Sequence, residues 1–186
     1  TDVLSLPTAP YHEGTVAAYI RTFAEKRDLS VKEDPYGNLV VRYRKGNRPK
    51  PVALSAHMDH PGFEVLGVDG RDLTAAWLGA CDPRHFPGSR VTVISAGTEI
   101  PGRVTSPLDE KSTFSIRAQR KLPQAEGAFG AWRLTPCAFD GDRISTKGAD
   151  NLASCAAILA TLDRMCRRGA QADLWGVFTR AEEVGL

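Results

Sequence analysis

The pattern of residue types changes in the middle of the sequence, and this change constrains the fold of the chain more than any other feature. From about residue 63 to about residue 144, short β-type runs alternate with Gly, Pro and Asp turns, without a long helical pattern. On either side, apolar residues recur at helical spacing next to short apolar runs that are typical of buried strands. The pattern predicts an α/β fold in which a small β-barrel-like module interrupts a frame of helices and strands.

Two amphipathic helices are predicted, one on each side of the module. Residues 13–28 and 152–168 each carry an apolar face, and Gly169 supplies a glycine stop for the second helix. Asp150 or Asn151 is expected to cap the start of that helix. Both helices are therefore expected to cover the strands of the frame.

The predicted strands divide the chain into three parts. Those of the frame are 39–43, 52–56 and 174–178, and those of the module are 63–68, 90–95, 114–118 and 131–134. We expect residues 1–66 and 144–186 to form the first and second parts of one α/β domain. Residues 67–143 would then be an inserted β-rich domain.

The charge pattern excludes some classes of partner. Twenty-four Lys and Arg residues against 22 Asp and Glu residues give a formal net charge of +2, with the signs interspersed. The densest basic stretch, residues 42–50, spans a Gly, Asn and Pro turn and is typical of a solvated hairpin. We therefore expect no nucleic-acid partner. No apolar run reaches the length that spans a bilayer, so we also expect no membrane partner.

The cysteines indicate a reducing compartment. Cys81, Cys137, Cys155 and Cys166 show no CxxC pairing, and the last two fall on the apolar pattern of the second helix. This spacing favours free thiols over a disulfide framework or a thiolate zinc site. The N-terminal residues lack the basic and apolar regions of a secretion signal. We expect a cytoplasmic protein.

Three short clusters hold the candidate functional residues, and each follows or precedes an apolar run. His57 and Asp59 lie in the first cluster, Asp150 in the second, and Glu182 and Glu183 in the third. Imidazole and carboxylate groups are ligands for hard or borderline divalent metals. Because ligands collect at the carboxyl ends of strands in open α/β sheets, a shared site is expected.

Each cluster also has a purely structural interpretation. In extended backbone His57 and Asp59 point the same way, as a surface pair or as a metal ligand and the group that orients it. Asp150 can cap a helix, bind a metal, or do both. Glu182 and Glu183 can form a solvated acidic turn, or face opposite sides of extended chain, one toward metal and one toward substrate. Because converging carboxylates repel without a cation, convergence would indicate a metal.

Seven stretches of the sequence form a specific combination, although no single stretch is specific. They are Pro-Tyr-Gly-Asn-Leu-Val-Val at 35–41, Ser-Ala-His-Met-Asp-His-Pro-Gly-Phe-Glu-Val at 55–65, Asp-Pro-Arg at 82–84, Pro-Gly-Ser-Arg-Val at 87–91, Ile-Pro-Gly-Arg-Val at 100–104, Ile-Ser-Thr-Lys-Gly-Ala-Asp-Asn at 144–151 and Glu-Glu-Val-Gly-Leu at 182–186. In this order, over nearly the whole chain, the sequence resembles the glutamyl/tetrahedral aminopeptidase family of dinuclear metallopeptidases.

The resemblance implies a role for each candidate residue. His57 would bind one metal ion, Asp150 would bridge two, and Glu183 would bind the second. Glu182 would be the general base, and Asp59 would clamp the imidazole of His57. The implied cofactors are two divalent metal ions, with zinc ahead of cobalt or manganese.

The resemblance also implies an activity and an assembly. The protein would be a metal-dependent aminopeptidase that releases N-terminal residues from peptide substrates through a water activated by the two metals. The α/β domain would be the catalytic domain. The inserted β domain would be the dimerisation and assembly domain, through which such enzymes form homo-oligomers.

Two departures from the family pattern bear on these expectations. His60 stands where the family usually has an acidic residue. The family also takes one carboxylate and one histidine ligand from sequence beyond the Glu182–Glu183 pair. We therefore expect a truncated chain, the N-terminal portion of an enzyme, that alone binds metal weakly and turns over little substrate. The alternatives are a related metal-dependent amidohydrolase or deacylase, and a non-catalytic fragment that serves as an assembly module.

Overall fold

A computed structural model describes residues 2–47 and 50–185 of the chain. Arg48 and Pro49, in the predicted basic turn, and Leu186, at the end of the last motif, lie outside these ranges. The α-helices are α1 (Asp2–Ser5), α2 (Gly14–Glu25) and α3 (Ser154–Arg168). Among the described residues, no helix is long and apolar enough to cross a membrane.

The strands of the described residues, in chain order, are β1 (Ser30–Glu33), β2 (Leu39–Lys45), β3 (Val52–His57), β4 (Gly62–Asp69), β5 (Asp72–Leu78), β6 (Arg90–Ser95), β7 (Thr98–Val104), β8 (Thr113–Ala118), β9 (Phe129–Trp132), β10 (Cys137–Asp140), β11 (Arg143–Thr146) and β12 (Ala172–Thr179). They form a four-stranded sheet, a closed barrel and a hairpin of β10 and β11. The predicted α/β frame with an interrupting β-barrel is confirmed.

The four-stranded sheet has the order β1-β2-β12-β3. Strand β12 is antiparallel to β2 and parallel to β3, and in the parallel pair Thr179 is the register partner of His57. Because parallel strands end at the same edge of a sheet, the segments after His57 and after Thr179 emerge side by side. This topology brings the first and third sequence clusters together.

The helices bury the sheet on their apolar faces. Val16, Ile20 and Ala24 of α2 are fully buried, and so is Leu162 of α3, in a core that also holds the sheet residue Leu39. Each fully buried Leu or Ile side chain contributes about 1.5–3 kcal/mol relative to exposure. The core therefore holds α2 and α3 on the strands whose ends carry the candidate residues.

The barrel closes in the order β4-β5-β8-β7-β6-β9 around a separate core. That core is rich in aromatic side chains, and Phe86 packs edge-on against Trp77 and Phe114 with ring centroids 5.1 Å apart in each pair. The barrel strands run from Gly62 to Trp132. The boundary predicted between residues 66 and 67 thus lies inside β4, and the division at 1–66, 67–143 and 144–186 stays a prediction.

The predicted cap of the second helix is wrong. Helix α3 begins at Ser154, after a π-type turn at Ala149–Ala153, and its start has no side-chain cap hydrogen bond. Asp150 has extended backbone angles (φ −101°, ψ 110°), so it lies too far before the helix for capping. The predicted stop at Gly169 is confirmed, since this residue ends α3 with φ 57° in the left-handed region.

Candidate metal centre

His57 ends β3 at the edge of the sheet, and its side chain is buried. The backbone N–H of Met58 donates to the carbonyl oxygen of Thr179 at 2.8 Å, which extends the pairing of β3 with β12 by one residue. Met58 is also fully buried. The chain directly after His57 is therefore held both by this hydrogen bond and by the packing of the Met58 side chain. The imidazole is thereby held at the point where β12 also ends.

The segment after β12 differs from the extended backbone expected for Glu182 and Glu183. Ala181 has φ 53°, and Glu182–Val184 form a short 3₁₀ turn. Because the chain turns, the two carboxylates do not face opposite sides of a strand. Ligand atoms of His57, Glu182 and Glu183 instead lie within 4.8 Å of one another, close enough for one cation to contact all three.

Asp150 approaches the same imidazole nitrogen from the second cluster. Its Oδ1 lies 3.0 Å from His57 Nε2, and Glu182 Oε2 lies 3.6 Å from that nitrogen. Asp150 is outside the group of three residues that can share one cation position. The side chain of Asp150 is 85% exposed and that of Glu182 is 59% exposed, so both face the solvent side of the site.

Asp59 lies on the opposite side of the His57 ring and is fully buried. Its Oδ1 is 3.3 Å from His57 Nδ1, an ion-pair contact that lacks hydrogen-bond geometry. The Asp59 carboxylate accepts the backbone N–H groups of Glu182 at 3.2 Å and Glu183 at 3.0 Å. Asp59 therefore fixes the acidic turn relative to the imidazole.

The electrostatics of the site fit a cation. Burial alone lowers the pKa of His57, but the hydrogen bond with Asp150 and the charges of Asp59 and Glu182 raise it above its ordinary value. Burial raises the pKa of Glu183, and the neighbouring carboxylates add to this effect against the opposing influence of His57. The carboxylates around His57 and Glu183 thus contribute to both shifts in the direction expected of a negatively charged site. One imidazole nitrogen and several carboxylates are a donor set that suits a divalent metal.

All five residues of the three clusters are therefore brought together. Cys155, predicted as helix core, lies directly beneath them, because its fully buried Sγ donates to the carbonyl oxygen of His57 at 3.2 Å. Burial raises the pKa of this thiol to about 12, so it stays protonated. Cys155 supports the end of β3 from the α3 side.

Sequence reasoning missed a buried ion pair that supports the acidic turn. Glu13, just before α2, is fully buried, and its Oε2 accepts the Nε–H of Arg180 at 2.7 Å. Its Oε1 accepts the backbone N–H of Ala181 at 3.0 Å, immediately before Glu182. The two partners are 167 residues apart in the chain, and an isolated Glu at a helix start gives no signal of such a contact.

His60 is buried beside the site. Its two ring nitrogens have no hydrogen-bond partner among the described residues, and it is 8% exposed. Burial, reinforced by the charge of Lys147, lowers the pKa of His60 to about 4. The ring is therefore neutral at pH 7 and adds no charge to the carboxylate cluster.

The C-terminal third of the chain matches a known family. Residues 119–186 match the model of the M42 glutamyl aminopeptidase family. The chain is also 27% identical over 174 residues to the protein named Putative aminopeptidase FrvX of Escherichia coli (strain K12). Over residues 119–186 the chain is similar to the M42 glutamyl aminopeptidases. This finding confirms the family resemblance of the sequence motifs.

Solved structures share the fold of this chain. The dodecameric PhTET1-12s is 19% identical with a TM-score of 0.80, and the match covers 99% of this chain and 59% of that one. Aminopeptidase APDkam598 from Desulfurococcus kamchatkensis has the same identity and TM-score, with 99% and 55% covered. The TET aminopeptidase from Thaumarchaeota archaeon SCGC AB-539-E09 is 18% identical with a TM-score of 0.81, with 98% and 58% covered.

The match to FrvX covers 82% of this chain and 48% of FrvX. The chain therefore spans about half the length of the curated relative it matches. The structural likenesses are all below 25% identity and speak to the fold. They show that the chain shares the fold of these solved structures.

Proposed function

We propose that the protein is a metal-dependent aminopeptidase that releases N-terminal residues from peptides. The observation that carries this proposal is the convergence of His57 Nε2 with the carboxylates of Glu182 and Glu183 within 4.8 Å. The convergence occurs at the edge of the four-stranded sheet, in a chain that shares the fold of PhTET1-12s. Because the chain spans about half of its curated relative, the activity of the whole protein is part of the proposal.

The proposed cofactors are two divalent metal ions, with zinc first. His57, Asp150 and Glu183 would hold them, since Asp150 Oδ1 lies 3.0 Å from His57 Nε2 and the ligand atoms of His57 and Glu183 lie within 4.8 Å of each other. When bound, such ions lower the pKa of a coordinated water and polarise a carbonyl group. The Nδ1 side of His57 faces the Asp59 carboxylate, which leaves Nε2 as the nitrogen that is available to a metal.

Glu182 is the proposed general base. Its carboxylate is the more exposed of the adjacent pair, so it can receive a proton from the nucleophilic water and deliver it to the leaving amine. Asp59 is the proposed positioning residue, because it holds the backbone N–H groups of both glutamates. Its negative charge also favours a fixed orientation of the imidazole.

The decisive experiment separates the proposed base from the proposed ligand. We expect Glu182→Gln to lower kcat on an aminoacyl-anilide by about 10²–10⁴-fold and to weaken Co²⁺ binding less than Glu183→Gln does. Glu183→Gln should weaken Co²⁺ binding by at least about tenfold, because it removes a ligand oxygen. Co²⁺ affinity is measured by absorption spectroscopy, and turnover is measured by release of the aniline from the anilide substrate.

An N-acetylated form of the same anilide is the matched control substrate. Release of the aniline from the free amine and not from the acetylated form supports the aminopeptidase, whereas release of acetate from the acetylated form would indicate the deacylase alternative. Equal loss of Co²⁺ affinity in both glutamine variants would contradict the division of roles between Glu182 and Glu183. Absence of Co²⁺ binding by the wild-type protein would instead favour a non-catalytic assembly module.

Assembly and location are further parts of the proposal. A homo-oligomer built through the barrel is supported by the likeness to PhTET1-12s, which is a dodecamer. A cytoplasmic location is supported by the four cysteines, which are unpaired among the described residues. Sedimentation of the purified protein measures the oligomeric state.

A further inference from the structure

A row of arginines crosses the outer face of the barrel. Arg90 on β6 is the register partner of Arg103 on β7, and Arg103 is the register partner of Arg117 on β8. Register partners on neighbouring strands point to the same face, and all three side chains are exposed. Arg71 and Arg133 extend the row on its two sides and line the same pocket of about 500 Å³. We call these five residues the arginine ladder.

Few acidic groups neutralise the positive charge of the arginine ladder. Arg117 forms an ion pair with Asp72, its Nε lying 2.6 Å from Oδ1. No other ladder residue forms an ion pair within residues 2–47 and 50–185, and no carboxylate is among the residues that line the pocket there. Like charges directly opposite each other on neighbouring strands are destabilising. The barrel therefore bears a repulsion that a bound anion would remove.

The chemistry of the pocket defines the class of anion. Five arginine residues that line one pocket of about 500 Å³ suit a ligand that brings several negative charges into a small volume. The planar guanidinium fork matches phosphate oxygens in a bidentate manner. Extended acidic peptides place about one charge per 3.3 Å of strand on alternating sides, so few of those charges reach a single pocket.

The remaining lining argues against a nucleic-acid chain. The pocket walls between the arginines come from Pro101, Gly102, Thr105, Ala118 and Gln119. None of these side chains is aromatic, whereas surfaces for single-stranded nucleic acid combine positive charge with aromatic rings that stack on the bases. We propose that the arginine ladder binds a polyphosphate anion, either inorganic or as the phosphate chain of a nucleotide.

The test measures binding of inorganic triphosphate by calorimetry to the full chain. EDTA is present throughout, so that no metal at the carboxylate cluster can bridge to the phosphates. The double variant Arg90→Gln/Arg103→Gln should bind triphosphate at least about tenfold more weakly than wild type, because it removes two forks from the ladder. The control variant Arg143→Gln/Arg168→Gln has the same net charge and exposed substitutions outside the pocket, and should retain wild-type affinity.

A second readout does not depend on ligand. Without phosphate, the ladder variant should have a Tm at least as high as that of wild type, because the cross-strand repulsion is relieved. ATP in place of triphosphate distinguishes the two sources, since binding more than about tenfold tighter assigns the nucleotide. Equal triphosphate affinity in the ladder and control variants would overturn the proposal. Sedimentation would also overturn the proposal if wild type formed an oligomer with and without triphosphate and the ladder variant did not.

Discussion

At the scale of single residues, the candidate site depends on side chains of two kinds. His57 and Glu183 stand in short motifs whose chemistry is readable in the sequence. Glu13 stands in no motif, yet it is fully buried and accepts hydrogen bonds from Arg180 and from the backbone of Ala181. Its partners come from a segment at the other end of the chain, so only the folded structure could reveal it.

Replacement of Glu13 tests its role as an anchor of the acidic turn. Glu13→Gln keeps the shape of the side chain but removes the charge that faces Arg180. We expect the free energy of unfolding in urea to fall by about 1–3 kcal/mol, because a hydrogen-bonded charge is lost in a buried place. Glu25→Gln, at an exposed position in α2, is the control and should change stability by less than about 0.5 kcal/mol. Unchanged stability of Glu13→Gln would show that the ion pair does not hold the turn.

At the scale of elements, the strands with clear β-type runs were predicted well. The run at 90–95 coincides with β6, whereas β5 and β7 were not predicted. Strand β7 contains Pro101 and Gly102, which usually interrupt strands. The barrel requires Gly102 there, since a Cβ would lie 2.9 Å from Cγ2 of Ile116. A prediction from local strand propensity therefore misses a strand such as β7, in which close packing in the barrel requires a residue that disfavours strands.

Strand β9 offers a sharper test of this packing. A Cβ on Gly130 would lie 2.2 Å from the carbonyl oxygen of Thr92 and 2.5 Å from Cζ of Phe63. We expect Gly130→Ala to destabilise the barrel by about 1–3 kcal/mol, because neither backbone nor buried ring can yield without strain. Gly14→Ala is the control, since a Cβ there has open space within 4 Å and α2 gains a better helix former. Thermal unfolding of both variants provides the comparison, and equal Tm values would contradict the prediction.

At the scale of the whole molecule, the described residues form two hydrophobic cores. One lies between the four-stranded sheet and its helices, and the other fills the barrel. The two clusters share no buried residue. Proteins with separate cores can depart from two-state unfolding. We therefore expect the sheet and the barrel to respond separately to a local perturbation.

The separate cores predict two distinguishable urea transitions. In a Trp175→Phe background, the remaining tryptophans, Trp77 and Trp132, report on the barrel by fluorescence, while circular dichroism at the helix band reports on α2 and α3. Adding Gly130→Ala should lower the fluorescence midpoint and leave the dichroism midpoint nearly unchanged. Coincident transitions that shift together would indicate a single cooperative unit.

The sequence by itself determined the α/β frame with its β-rich insert and the residue types of the candidate site. Apolar periodicity is a local property, and so are the short motifs that carry His57, Asp150 and Glu183. Only the tertiary structure decided that β12 lies parallel to β3, that the chain turns at Ala181, and that Glu13 is buried beneath that turn. These features depend on contacts between segments more than a hundred residues apart, and such contacts leave no periodic trace in one sequence.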